Sequence, residues 1–342
     1  MYHFAHNIFR YRGVIFFLVG FVLSFLFFKY VTNHVDVNPS GSMTARSNTA
    51  LECEVTSFRR SGFDLTKPLL YVEKSCESPE FLPVKNAVRS LISSLIASKD
   101  ITTASVYIRD FEHSRWTGVG ENEGYHPGSL SKVPLLISYL YQSESDPSLL
   151  DKQYEFQPPT KGTLPVQNYY TNTIVAGKKY TVRELLRYMI QYSDNNATWL
   201  LSQKIGLKAY EKTFIDLGVN IPLPDGRDSL VLISPRDYSV FFRALYNSSY
   251  LVPELSEYAL ALLGKSTFSE GFVTGLPEGT KVVHKFAEWD NGDDYELHES
   301  GIFYVKGKAY LVTIMTKGKN RSKLPNVIAS LTRTIYGYVA VP

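Results

Sequence analysis

The apolar positions of this chain change their period three times. From Gly13 to Phe28 it reads GVIFFLVGFVLSFLFF without a charge. Counted on to Val31, that run makes a helix of roughly 27 Å, close to the hydrocarbon thickness of a bilayer. Arg10 and Arg12 precede it and only Lys29 closes it. Positive-inside bias therefore predicts a cytoplasmic N-terminus over 1–12, a transmembrane anchor over 13–31 and an extracytoplasmic remainder. A cleaved signal peptide is the rival reading, opposed by the lack of small residues at a cleavage site in KYVTNHVDV. Residues 32–80 then lose the apolar period. NPSGSMTARSNTA is rich in Ser, Asn, Thr and Gly, which predicts a solvated tether, with Leu69–Val72 as a short strand able to dock.

From residue 81 to 342 the pattern is that of a folded domain. Val84, Ala87, Val88, Leu91, Ile92, Leu95 and Ile96 recur at three- and four-residue spacing, an amphipathic helix ending near Lys99. Ala104–Ile108 and Trp116–Val119 read as a strand pair. Thr181 and Glu184 form a capping box ahead of a helix carrying Leu185, Leu186, Met189 and Ile190. Ser234, Pro235 and Asp237 start another. Val282–Ala287, Gly301–Val305 and Ala309–Thr316 read as strands, and Val327, Ile328, Leu331 and Ile335 as a closing helix. The order predicts an α+β fold: an antiparallel sheet built from both chain ends, flanked by terminal helices, with an all-helical lobe and a cleft between them.

Composition narrows the classes. Of 342 residues, 44% are hydrophobic and 20% charged, which excludes wholesale disorder and coiled coil. A net charge of +3 without a long basic run argues against a nucleic-acid partner. Two cysteines, Cys53 and Cys76, are too few for a disulfide scaffold or structural zinc site. On the exported side they would meet an oxidising compartment, where a bridge and two free thiols are both open.

Three clusters carry chemistry. In HPGSLSKVPLL, Pro134 fits only the first turn of a helix, so Ser129 sits at that helix's N-terminal end and Lys132 one turn along on the same face. A serine hydroxyl needs a base to take its proton, and a lysine serves only if its pKa falls several units. Ser193–Asp194–Asn195 follows the capped helix, where a plain turn is the simpler reading. His284–Lys285–Phe286–Ala287–Glu288 closes a strand, and Lys285 there must face a cleft, find a partner or protect an edge.

Taken in order, at intervals of 64 and 92 residues, the three clusters resemble those of the serine β-lactamase and penicillin-binding-protein superfamily, closest to class A β-lactamases. The likeness covers about residues 82–340. It implies a β-lactamase-like fold and acyl transfer on β-lactam or D-alanyl peptide amides, with no cofactor and no metal. Ser129 would be the nucleophile, Lys132 its proton acceptor and Ser193 the relay to the leaving nitrogen. Asn195 would hold Lys132 and a substrate carbonyl, and Lys285 would attract the substrate carboxylate. The backbone N–H groups of Ser129 and Glu288 would form the oxyanion hole.

Two departures qualify this. Phe286 and Ala287 stand where the family has Thr or Ser and then Gly, so a carboxylate-binding hydroxyl is lost and a methyl is added where the substrate backbone comes close. The family's Glu-x-x-Leu-Asn loop, which supplies the deacylating base, is absent between Asn195 and Pro235. The resemblance implies β-lactam hydrolysis of the class A type; because that interval offers only Asp216, Asp225 and Asp228, the alternative is acylation with slow deacylation, as in a penicillin-binding protein such as a D-alanyl-D-alanine carboxypeptidase. A non-catalytic wall-binding protein is the remaining alternative. Glu288 and Glu299 read as solvated acids near the third cluster, and Tyr169 and Tyr170 as residues able to wall a groove.

Overall fold

The computed structural model describes residues 53–60, 62, 64–159, 168–169, 172–220, 231–290 and 292–340. The predicted anchor over 13–31 lies outside them; among the described residues no helix is long and apolar enough to cross a membrane. The first pair of strands, β1 (Val55–Arg59) and β2 (Leu69–Lys74), is followed by α1 (Leu82–Ala97), β3 (Thr103–Asp110) and β4 (Arg115–Val119). The central run comprises α2 (Lys132–Ser145), a small pair β5 (Gln153–Glu155) and β6 (Lys179–Thr181), α3 (Val182–Gln191), α4 (Asn195–Ile205), α5 (Leu207–Asp216), α6 (Pro235–Tyr246), α7 (Pro253–Leu263) and α8 (Phe272–Gly275). Strands β7 (Lys281–Asp290), β8 (Tyr295–Val305) and β9 (Lys308–Gly318) and helix α9 (Leu324–Val339) complete the chain.

The last three strands join β3 and β4 in one five-stranded antiparallel sheet, ordered β4-β3-β9-β8-β7. Side chains alternate across it, and both faces are covered. Val106, Ile108, Val312 and Ile314 face the terminal helices, packing with Val84 and Val88 of α1 and Ile328, Leu331 and Ile335 of α9. Tyr107, Ile302, Leu311 and Met315 face the helical lobe, with Leu136 and Leu140 of α2 and Leu185, Met189 and Phe241 beyond. Such double coverage explains why β8 and β9 are buried along nearly their whole length. The caps form as the sequence requires. Thr181 and Glu184 exchange capping bonds, and Ser234 accepts the Asp237 N–H at 3.1 Å.

The tether needs correction over its described part. Strands β1 and β2 pair as a hairpin, closed by a Cys53–Cys76 disulfide with a Cα separation of 5.4 Å. Leu70 and Tyr71 are buried in the core, and the Tyr71 hydroxyl donates to the Leu217 carbonyl at 3.0 Å. Glu73 is surrounded by Arg109, Arg236 and Arg243. Composition hid this segment because its anchors are single residues, not a periodic stripe. Glu73→Ala leaves three guanidinium groups around a lost carboxylate. It is expected to cost about 3–5 kcal/mol, read as a lower denaturant midpoint at unchanged slope.

Candidate active site

The HPGSLSK segment forms a 3-10 turn over Gly128–Ser131 that runs directly into α2. The turn is held from several sides. Ser131 Oγ donates to the Gly128 carbonyl at 2.7 Å, Tyr238 to the Leu130 carbonyl at 3.0 Å and Tyr210 to the Ser131 carbonyl at 3.3 Å. Ser129 keeps part of its surface exposed, whereas Lys132, the first residue of α2, is 2% exposed. The two tyrosines were invisible as site residues in a chain with 24 of them.

The second cluster is more than a turn. Ser193 adopts φ +56°, in the left-handed region, a conformation that costs a non-glycine residue roughly 1–2 kcal/mol and is maintained only where surroundings enforce it. Asp194 enforces it. Its carboxylate accepts from Asn196 N–H at 2.9 Å, Thr173 Oγ1 at 2.8 Å and Ile174 N–H at 2.9 Å, capping α4 as it does so. Ser193 and Asn195 are thereby turned toward Lys132.

The third cluster lies on β7, the sheet's edge strand. Lys285 is nonetheless fully buried, because it points into the lobe and donates from Nζ to Ser193 Oγ at 2.9 Å and to the Phe286 carbonyl at 2.8 Å. Ala287 is also fully buried. A Cβ placed on Gly128 would lie 3.4 Å from the Ala287 Cβ and 2.7 Å from the Glu288 carbonyl oxygen. The methyl group therefore sits beneath the Ser129 turn, and Gly128, at φ +45°, lets the two backbones meet. This close approach brings the Ser129 turn against Glu288. Phe286 points the other way, stacking on Phe268 at 4.3 Å with the Tyr169 edge at 6.1 Å.

Lys132 Nζ is ringed by oxygens. It donates to the Ser193 carbonyl and to Asn195 Oδ1 at 2.8 Å, and lies 3.1 Å from Ser193 Oγ. A neutral amine has two N–H donors and one lone pair. Two pure acceptors use both donors, which leaves the lone pair for a hydroxyl proton. Burial pushes the Lys132 amine down to about 7, against the opposing pull of Asp194 and Glu288. Burial, and then the neighbouring Lys132, holds Lys285 well below the ordinary lysine range. The arrangement suits a chain of proton transfers through Ser193 Oγ, which both lysines touch.

Other expectations fare differently. Glu299 is fully buried, not solvated: it pairs with His284 Nδ1 and accepts the Phe272 N–H at 2.8 Å. It reads as an exposed acid in sequence because its partners lie far along the chain. Glu288 accepts from Asn168 N–H at 2.7 Å and Nδ2 at 2.6 Å. Asp216 is tied to Lys212 and accepts from the Tyr250 hydroxyl at 2.8 Å; Asp225, Asp228 and Tyr170 lie outside the described residues. Among the described residues one set of side chains has metal-ligand proximity, Asp110, Glu112 and His113 at the β3–β4 turn. A cavity of about 420 Å³ opens beside Glu288, walled by Tyr169, Trp289, Tyr295 and Arg321 among others.

A family profile described as the beta-lactamase enzyme family matches residues 84–339. This chain belongs to the beta-lactamase enzyme family. It is a serine hydrolase. Solved structures share its fold. PBP-A is 22% identical over 77% of this chain and 97% of its own, with a TM-score of 0.62. A β-lactamase from Chitinophaga pinensis is 20% identical over 74% and 100%, with a TM-score of 0.63. A single-residue mutant of PBP-A, solved as an acyl-enzyme complex with penicillin G, is 21% identical over 75% and 96%, with a TM-score of 0.61. A comparison with curated proteins found no match.

Proposed function

We propose that this β-lactamase-family hydrolase is acylated at Ser129 by β-lactam amides and, in the same way, by D-alanyl peptide amides, and that the acyl-enzyme breaks down slowly. The carrying observation is the buried Lys132 amine, which contacts the Ser193 carbonyl, Asn195 Oδ1 and, at 3.1 Å, the Ser193 hydroxyl that Lys285 also reaches. Ser129 Oγ attacks the amide carbon and its proton passes to Lys132 Nζ. The carbonyl becomes an oxyanion facing the Ser129 and Glu288 N–H groups. As the C–N bond breaks, Ser193 Oγ gives the leaving nitrogen a proton and is resupplied from Lys132.

Slow deacylation is supported by the missing Glu-x-x-Leu-Asn loop and by the prior engagements of Asp194, Asp216 and Glu288. Class A-type β-lactam hydrolysis is the second reading, favoured by the family match itself. It would require a base from the interval holding Asp225 and Asp228. The retained set Ser129, Lys132, Ser193, Asn195 and Lys285 speaks against a non-catalytic wall-binding role. We further place the domain outside the cytoplasm, anchored through residues 13–31, a location with which the Cys53–Cys76 disulfide agrees. Nitrocefin separates the readings. Slow deacylation gives a burst of about one product per protein, whereas sustained turnover would establish the lactamase reading instead.

A further inference from the structure

One buried polar cluster has no part in the proton chain. Glu296 and His298 alternate along β8 on the face shared with Lys285, Ala287 and Trp289, and both are buried. Together they grip the backbone of a single residue three positions ahead of the nucleophile. Glu296 Oε2 accepts the His126 N–H at 3.0 Å, and His298 Nε2 donates to the His126 carbonyl at 3.0 Å. His298 Nδ1 in turn accepts the Thr316 N–H at 3.3 Å. That bond assigns the proton to Nε2, so the imidazole is a donor toward His126. Glu296 Oε2 also faces His298 Nε2 at 3.2 Å, and its carboxyl is held below its ordinary range: burial opposes this, but His298 and the His126 N–H outweigh it.

The side chain of His126 carries the connection to β7. Its ring stacks on Trp289 at 4.5 Å with 26° between planes, and Trp289 directly follows Glu288. The residue thus reaches both halves of the oxyanion hole. Its backbone leads through Pro127 and Gly128 into Ser129, and its ring rests on the neighbour of Glu288. Buried donors and acceptors satisfied this way fix a backbone far better than packing alone.

We propose that Glu296 and His298 are positioning residues for the oxyanion hole, holding the His126 backbone so that the Ser129 and Glu288 N–H groups converge on one oxygen. This rests on the reading of Ser129 as the acylated nucleophile. Their loss would leave the proton chain of Lys132 and Ser193 in place while spoiling charge stabilisation at the carbonyl oxygen.

The test compares acylation by an ester and by its thiono counterpart, whose sulfur accepts N–H bonds poorly. With the hole intact the ester reacts faster. Glu296→Ala is expected to slow the ester roughly tenfold or more and leave the thionoester nearly unchanged, so their ratio collapses. Glu296→Gln, whose amide oxygen can still accept both donors, restores the ratio. A folded Glu296→Ala protein with the wild-type ratio overturns the proposal. If that variant does not fold, His298→Phe against His298→Gln makes the same comparison. Should the wild-type protein show no acylation, the hydrolase reading fails separately. Amide exchange at Ser129 and Glu288 then decides: faster exchange in His298→Phe at these two positions supports the positioning role, and unchanged exchange overturns it.

Discussion

Lys132→Ala should slow acylation of the protein by a fluorescent penicillin about 1,000-fold, the usual weight of a lost general base. The reasoning begins with burial. Burial of an amine 2% exposed brings its pKa down to about 7, so about half of it is free base at neutral pH and open to a proton from Ser129. Lys132→Arg should not rescue the rate, because a guanidinium stays protonated. A linked effect on stability has a definite sign. Since burial lowers the folded-state pKa to about 7 while the unfolded amine titrates near about 10.4, the unfolded chain binds more protons between those values. Stability must therefore rise with pH across that window. Lys132→Met removes one ionisable group and should reduce the slope, the buried Lys285 supplying what remains, and leave the protein inert toward penicillin. Thermal denaturation across the window checks this, and an unaltered slope would mean that Lys132 is charged in the folded protein.

Gly128→Ala should lower the acylation rate about 100-fold, roughly the loss of one oxyanion donor. The added Cβ would lie 2.7 Å from the Glu288 carbonyl oxygen, a backbone atom fixed in the sheet. Relief requires the Ser129 turn to lift from β7, which separates the two N–H groups meant to face one oxygen. The left-handed φ of +45° adds roughly 1–2 kcal/mol of backbone cost for alanine. A stopped-flow acylation rate measured with a β-lactam reads the effect. A rate equal to wild type would show that the contact between the turn and β7 is not needed for the chemistry.

Much of this was legible along the chain. The α+β order followed from helix and strand periods, because each long element buries one continuous stripe and its caps are local. The turn at Ser129 ahead of the helix followed from Pro134, whose missing N–H admits few positions in a helix. Clusters spaced over 156 residues, from Ser129 to Lys285, met at one hydroxyl, Ser193 Oγ, which both lysines reach. What sequence hid was long-range pairing. Glu299 looked solvated because His284 and Phe272 reach it only after the sheet folds. Leu69–Val72 docks as the expected strand, within β2, but its pairing with β1 and the ion pairs of Glu73 were hidden in a polar segment without an apolar period. The methyl of Ala287 promised interference with substrate, yet Gly128 lies opposite and leaves it space.

The central claim is that an uncharged Lys132 takes the proton of Ser129. Its most direct test is the rate at which penicillin mass appears on the Ser129 peptide, followed by mass spectrometry from about pH 5 to about pH 9. The account predicts one adduct per chain, located on Ser129, with a rate that climbs through an apparent pKa of about 7. An adduct on another residue, or a rate on Ser129 that ignores pH over that range, would contradict it.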